Sequence, residues 1–208
     1  MIQNSILFDI GRTKTRVAFS DNTESFEEPY VFETNHSYEE GVKKLFEAIE
    51  SCTKGREVVN IAGGITRALT DWEIERLSED LKNKFGANIK IENDSAIVGL
   101  GEAVFGAGRG FSIVAYVTVS TGVGGARIIE GHLDERAVGF EPGKQIIDME
   151  NGETKTLEDL VSGSALERRT GKHPKEITDP IVWEEHAKIL AVGLNNTIVN
   201  WSPNCIVL

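Results

Sequence analysis

The chain has 208 residues, 40% of them hydrophobic and 26% charged, the composition of an ordinary folded protein with room for one large domain or two small ones. Its 33 acidic and 22 basic residues give a formal charge of −11, which argues against the basic footprint that a nucleic-acid binder needs. A small anionic ligand stays within reach, because backbone N–H groups bind phosphate without net positive charge.

Two cysteines, Cys52 and Cys205, have no second cysteine nearby and fit no zinc ligand set, so they read as reduced thiols of a cytoplasmic protein. The chain enters a strand just after Met1, so no signal peptide is expected. No apolar run approaches the roughly 18 residues of a membrane helix, so no membrane partner is expected either.

Along the chain, residues 4–10 read as a buried strand and 14–20 as its hairpin partner, with a third strand near Glu28–Glu33. Ser37 and Glu40 have the spacing of a capping box, followed by Tyr38, Val42, Leu45, Phe46 and Ile49 at helical intervals. Glu57–Ala62 reads as a strand ending in Gly63-Gly64. Thr70 and Glu73 suggest a second capping box before Ile74, Leu77 and Leu81. Ile89–Ile91 is a short strand, and Asp94 opens a helix carrying Ile97, Leu100 and Val104.

The glycine-rich GAGRG at 106–110 is taken as the boundary between an N-terminal lobe, 1–110, and a C-terminal lobe, 111–208. Beyond it come a strand at Phe111–Val119, a turn at 120–124, a strand at 125–130, an irregular stretch at 131–155 and short helices over 156–170. Asp179-Pro180 is an N-cap followed by proline at the first helical position. Pro203 stops that helix, and Cys205–Leu208 begins an apolar strand on which the sequence ends, the expected mark of a truncated chain or a fragment.

Both lobes therefore open on the same unit: apolar strand, turn, strand. The first turn is Gly11-Arg12-Thr13, and the second is Ser120-Thr121-Gly122-Val123-Gly124-Gly125. Glycine permits close backbone approach to a ligand, successive turn amides form an anion-binding nest, and threonine hydroxyls add donors. Two such turns on facing lobes would clasp a polyphosphate, with Asp9 holding a hydrated Mg²⁺ beside it. Each turn alone also reads as an ordinary hairpin, since neither matches a Walker A or G-x-G-x-x-G pattern. In IENDSAIVGLGEAVFGAGRG at 91–110, Asp94 sits where a strand hands over to a helix. A carboxylate there serves as an N-cap, or as the acceptor of a hydroxyl proton in phosphoryl transfer.

Together these stretches resemble the ROK family of sugar kinases and related repressors. FDIGRTKTRVAFS resembles the family's first phosphate motif, IENDSAIVGLGEAVFGAGRG the segment carrying its catalytic base, and VTVSTGVGGARIIEGHL its second phosphate motif. GFEPGKQIID at 139–148 and TLEDLVSGSALERRTG at 156–171 resemble two further family segments, in order along the chain. The resemblance implies an α/β, two-lobed ribonuclease H-like (actin/hexokinase-like ATPase) fold with an incomplete second lobe. It implies ATP-dependent phosphorylation of a hexose or N-acetylhexosamine hydroxyl with Asp94 as general base. Asn93, Glu141, Lys144, Glu158 and Gly64 would contact the sugar, while Gly11, Thr13, Thr121, Gly122 and Gly124 would cradle the phosphates of ATP. The implied ligands are a sugar, ATP and Mg²⁺. A second lobe that stops early would expose an apolar patch, from which a homo-oligomer is expected, and the acidic charge leaves no nucleic-acid partner expected.

The sequence departs from the family at several points. Arg12 replaces the usual second glycine of the first turn, and Lys144 stands where many members carry a zinc-binding histidine. The family's cysteine zinc loop is absent, so no zinc is expected. The 64–72 stretch is shorter than usual, and the segments that normally follow the last strand are missing. These departures leave open a catalytically degenerate or truncated sugar- or nucleotide-binding protein of the same fold. A repressor is disfavoured by the acidic charge.

Overall fold

Period-two alternation along residues 5–20 builds the first sheet. The structure, a computed structural model, describes residues 4–22, 24–134 and 139–208. β1 (Ser5–Ile10) buries Ile6, Phe8 and Ile10 on one face, and β2 (Lys14–Ser20) pairs antiparallel to it with Thr15, Val17 and Phe19 buried. β3 (Tyr30–Glu33) adds to β2, while β4 (Asn60–Ile65) and β5 (Asn88–Asn93) add in parallel on the other side, giving the order β3-β2-β1-β4-β5. Helices α1 (Tyr38–Thr53) and α2 (Ile74–Phe85) supply the rest of the core: Val42, Leu45, Ile49, Leu77 and Leu81 pack with Ile6, Ile10, Phe19 and Ile61. Gly86 ends α2 in the left-handed conformation, its N–H returning to the Lys82 carbonyl.

Two sequence expectations change here. Neither Ser37 nor Glu73 makes a side-chain cap, so neither expected capping box forms. Asn35 does the work at α1 instead: its Oδ1 accepts from the Ser37 N–H at 2.9 Å and its Nδ2 donates to Glu40 Oε2 at 2.7 Å. The Thr70 hydroxyl turns to Asp71. The second change is β4, which begins at Asn60 and runs through both glycines to Ile65. The glycines are strand residues because they make room: a side chain at Gly63 would collide with the Phe8 ring, and a Cβ at Gly64 would lie 3.1 Å from Asp94 Cα.

The chain divides into two compact units, the first ending at Ile97 and the second starting at Val98. The division falls within α3 (Asp94–Val104), and the glycine-rich 106–110 stretch lies in the second unit.

The second unit repeats the opening of the first. β6 (Ile113–Val119) and β7 (Val123–Ile129) form an antiparallel hairpin, β8 (His132–Leu133) adds to β7, and β11 (Cys205–Val207) adds parallel to β6, giving β11-β6-β7-β8. This matches β4-β1-β2-β3 of the first sheet; among the described residues the second sheet has four strands to the first sheet's five. The turn is shorter than the sequence suggests: it spans 120–122, and Gly124 and Gly125 already sit in β7 opposite Thr118 and Val117.

The stretch read as irregular contains a hairpin, β9 (Ile146–Glu150) with β10 (Glu153–Thr156), turned by Asn151 and Gly152, both at positive φ. Residues 135–138 of that stretch lie outside the described residues. α4 (Leu157–Val161) and α5 (Gly163–Thr170) follow, capped by Thr156 and Ser162. α6 (Pro180–Trp201) starts as expected, with Asp179 Oδ1 accepting from Ile181 N–H at 2.9 Å. Leu157, Val161 and the α6 residues Leu190 and Leu194 bury Val117 and Val123.

Candidate functional site

In the first unit the sequence-predicted residues collect at the carboxyl ends of the parallel strands, where open α/β sheets place their ligands. Arg16, Asp9 and Gly64 are register partners in one row across β2, β1 and β4. Asp9 Oδ2 accepts from Arg16 Nη1 at 2.7 Å, with both side chains about half exposed (47% and 51%). Sequence reading missed this pairing, although an antiparallel register across a short turn places the two residues opposite each other. No bond to Asp9 Oδ1 is found among the described residues, so the carboxylate retains capacity for a hydrated cation.

Gly64 connects this row to α3, because its missing side chain lets Asp94 come close. At the helix start the backbone N–H of Ser95 is shared: Asn93 Oδ1 accepts it at 3.1 Å and Asp94 Oδ1 at 2.8 Å. Asn93 thus holds the position of the N-cap, and Asp94 Oδ2 has no partner among the described residues.

The first turn needs no second glycine. Gly11 N–H donates to the Lys14 carbonyl at 3.0 Å, and Arg12 is not among the residues of positive φ, so a side chain at 12 costs no backbone strain. Arg12 and Thr13 are both exposed.

In the second unit, Glu158 of α4 reaches the second turn. Its Oε2 accepts from the Val123 N–H at 2.8 Å, and a Cβ at Gly122 would lie 2.7 Å from that oxygen. Its Oε1 accepts from Lys144 Nζ, also at 2.8 Å. Burial pushes the Glu158 carboxyl up, but the Lys144 ammonium and the Val123 amide outweigh it and hold the carboxyl below its usual range. The same carboxylate raises the Lys144 ammonium.

Lys144 ends a short 3-10 turn, 142–144, that packs on β7 because Gly143 lies against the Val123 carbonyl and Gly125 against Pro142. Glu141 precedes that turn at its N-cap. The structure therefore brings Gly122, Glu158 and Lys144 together, with Thr121 next to Gly122 in the turn and Gly124 one residue into β7.

Sequence reading did not single out the cavity beside this turn. It has a volume of about 360 Å³ and is lined by Ser120, Thr121, Gly163, Leu166, Trp183 and His186, among others. Gly163 N–H donates to the Ser120 carbonyl at 2.7 Å, which seats the start of α5 on the turn. His186 is 8% exposed, its Nδ1 has no partner among the described residues, and it meets the Trp183 ring edge to face with centroids 5.7 Å apart. Burial, and then Arg169, push its pKa down, so the ring is neutral at pH 7. In sequence, His186 sits among the apolar positions of α6 and looks like any core histidine.

Among the described residues no group of three or more His, Cys, Asp or Glu could hold a metal ion, and no helix is long and apolar enough to cross a membrane.

A sequence profile of the ROK family matches residues 6–208. The glucokinase of Thermotoga maritima is 26% identical over 166 residues, covering 70% of this chain and 52% of that protein. The crystal structure of the ROK hexokinase from Thermus thermophilus aligns with a TM-score of 0.81 at 24% identity, over 99% of this chain and 81% of that one. A ROK family glucokinase from Streptomyces griseus, solved with glucose and AMPPNP, aligns with a TM-score of 0.76 at 23% identity, over 98% and 81%. The chain spans about half the length of the curated relatives it matches. The twin hairpin sheets are those of the ribonuclease H-like, hexokinase-type ATPase fold. With its motifs in family order and a profile match running to its last residue, the chain belongs to the ROK family.

Proposed function

We propose that the protein phosphorylates a sugar hydroxyl with ATP, Asp94 acting as general base. The observation that carries this reading is the division of labour at the start of α3: Asn93 occupies the cap position, and Asp94, beside Gly64 and the Asp9 row, keeps an oxygen without a partner among the described residues. Asp94 accepts the proton of the sugar hydroxyl as that oxygen attacks the γ-phosphorus. The bond from γ-phosphorus to the bridging oxygen breaks, and ADP leaves with the electron pair.

Gly11 and Thr13 in the first unit, and Thr121, Gly122 and Gly124 in the second, serve the phosphates. Asp9 holds Mg²⁺ through water, and the cation, when bound, offsets phosphate charge. The 360 Å³ cavity beside Thr121 has the apolar and aromatic lining that a nucleotide base requires. Asn93, Glu141, Lys144 and Glu158 hydrogen-bond sugar hydroxyls. Glu158 has the capacity to do so because a carboxylate offers about four acceptor sites and two are used among the described residues.

The test is ADP release from Mg·ATP with a panel of hexoses and N-acetylhexosamines, comparing the native chain with Asp94→Asn. Sugar-dependent turnover that the substitution abolishes, with folding intact, supports the reading. Turnover retained in Asp94→Asn overturns the general-base assignment. A folded native chain that binds nucleotide but turns over no sugar favours the degenerate binding protein instead.

A further inference from the structure

We propose that Thr34 and His36 are positioning residues for the first phosphate turn, fixing the direction in which its amides point. This rests on the reading of that turn as a phosphate site. Residues 34–36, which link β3 to α1, bond to all three carbonyls of the Gly11-Arg12-Thr13 turn. Thr34 Oγ1 donates to the Gly11 carbonyl at 2.8 Å, and the Thr34 backbone N–H donates to the Thr13 carbonyl at 3.0 Å. His36 Nε2 lies 3.0 Å from the Arg12 carbonyl; because a carbonyl only accepts, the ring carries its proton on Nε2. The Thr34 hydroxyl has one proton, given to Gly11, so in its 2.9 Å contact with Thr15 Oγ1 it is Thr15 that donates.

Peptide planarity turns these bonds into a direction. In a trans peptide the C=O of one residue and the N–H of the next point opposite ways. Drawing the Gly11 and Arg12 carbonyls back toward residues 34–36 therefore throws the Arg12 and Thr13 amides forward, away from that segment. Among the described residues neither of these two amides has an acceptor. Successive amides on one side of a turn are what an anion needs, and amides already aimed cost nothing to reorganise when it binds.

The segment also accounts for a working turn without its second glycine. A glycine-rich turn gains its shape from backbone freedom and needs external bonds to fix it. Here the shape comes from Thr34, Thr15 and His36, at φ values that an L-residue tolerates.

The experiment is calorimetric titration of the 208-residue chain with Mg·AMPPNP, comparing the native protein with Thr34→Val, Thr34→Ser and His36→Ala. Thr34→Val keeps the shape but removes the hydroxyl, and is expected to weaken binding about tenfold, the effect of one or two lost hydrogen bonds. Thr34→Ser restores the donor and is expected to bind within about twofold of native. The exposed His36→Ala leaves the core untouched and is expected to weaken binding less than Thr34→Val. Where the chain turns over, KM for ATP rises while KM for sugar does not move.

Native affinity in both Thr34→Val and His36→Ala overturns the positioning role while leaving the phosphate reading standing. Equal weakness in Thr34→Ser and Thr34→Val also overturns it, since the hydroxyl is then not the cause. Should Thr34→Val fail to fold, His36→Ala and Thr34→Ser decide the matter. A native chain that binds no Mg·AMPPNP overturns the phosphate reading, and the positioning role with it.

Discussion

Arg16 Nη1 lies 2.7 Å from Asp9 Oδ2, and the two residues are register partners across the first hairpin. The pair is half exposed, so its contribution to stability is about 0–1 kcal/mol. It also has a functional consequence, because Asp9 is the proposed anchor for hydrated Mg²⁺, and a guanidinium and a divalent cation compete for one carboxylate. Arg16→Gln is expected to leave urea stability within about 1 kcal/mol of native. It is expected to lower the Mg²⁺ concentration needed for half-maximal nucleotide binding by up to about fivefold, the equivalent of one exposed ion pair. A higher Mg²⁺ requirement in the variant would mean that Arg16 positions Asp9 rather than competing for it.

The Lys144–Glu158 pair makes a pH prediction with a definite sign. Glu158 titrates lower in the folded protein than its ordinary 4.5, so its contribution is fully present above that value and is lost as pH falls through the lowered one. Lys144 titrates higher than its ordinary 10.5, so its contribution is fully present below that value and is lost as pH rises through the raised one. The pair therefore supports the fold across the neutral range and fails at both extremes. Glu158→Gln is expected to flatten the fall in stability below about pH 4.5, measured by urea unfolding at several pH values, while its amide oxygen still accepts from Val123. An unchanged acid limb would show that other carboxylates set it.

Asn35 carries a prediction that opposes the usual reading of sequence. Ser37 has the identity and spacing of a helix cap, yet its side chain makes no cap bond, whereas Asn35 bonds both to the Ser37 amide and to Glu40. Asn35→Ala is expected to destabilise the first unit by about 1 kcal/mol, the usual cost of a lost cap. Ser37→Ala is expected to stay within about 0.5 kcal/mol of native. The reverse order, measured by urea denaturation, would return the capping role to Ser37.

The same contrast shows what a single sequence reveals. The twin hairpins were legible because alternation is a local signal, and so was the start of α6, where Asp179-Pro180 announces itself. Asp9 and Asp94 were legible as candidates because strand ends and helix starts are local too. The hairpin at 146–156 carries a local signal too, since an Asn-Gly pair such as Asn151-Gly152 is the strongest short turn signal. The β4 boundaries failed because Gly63 and Gly64 look like a break until Phe8 and Asp94 are seen occupying their missing side chains. Glu158 bonds to Val123 from 35 residues away, and nothing between them encodes that contact; tertiary packing alone creates it.

Two glycines in α3 give the last prediction, because they share one helix and differ only in what surrounds them. Gly101 is exposed and a Cβ there would meet nothing within 4 Å. Gly99 is buried, and its Cβ would lie 2.8 Å from Tyr116 Cβ on β6, closer than such atoms approach. Alanine has the better helix propensity at both positions, so Gly101→Ala is expected to stabilise the protein by about 1 kcal/mol. At Gly99 the same gain is outweighed by overpacking, and Gly99→Ala is expected to destabilise by about 1–3 kcal/mol. Tyr116 cannot move away cheaply, since the clash is with its Cβ, which is fixed to the β6 backbone, and not with the far end of its ring. Paired urea denaturation of the two variants checks this directly. Stabilisation by both would mean that α3 shifts freely against β6, and would remove the close approach as the reason for glycine at 99.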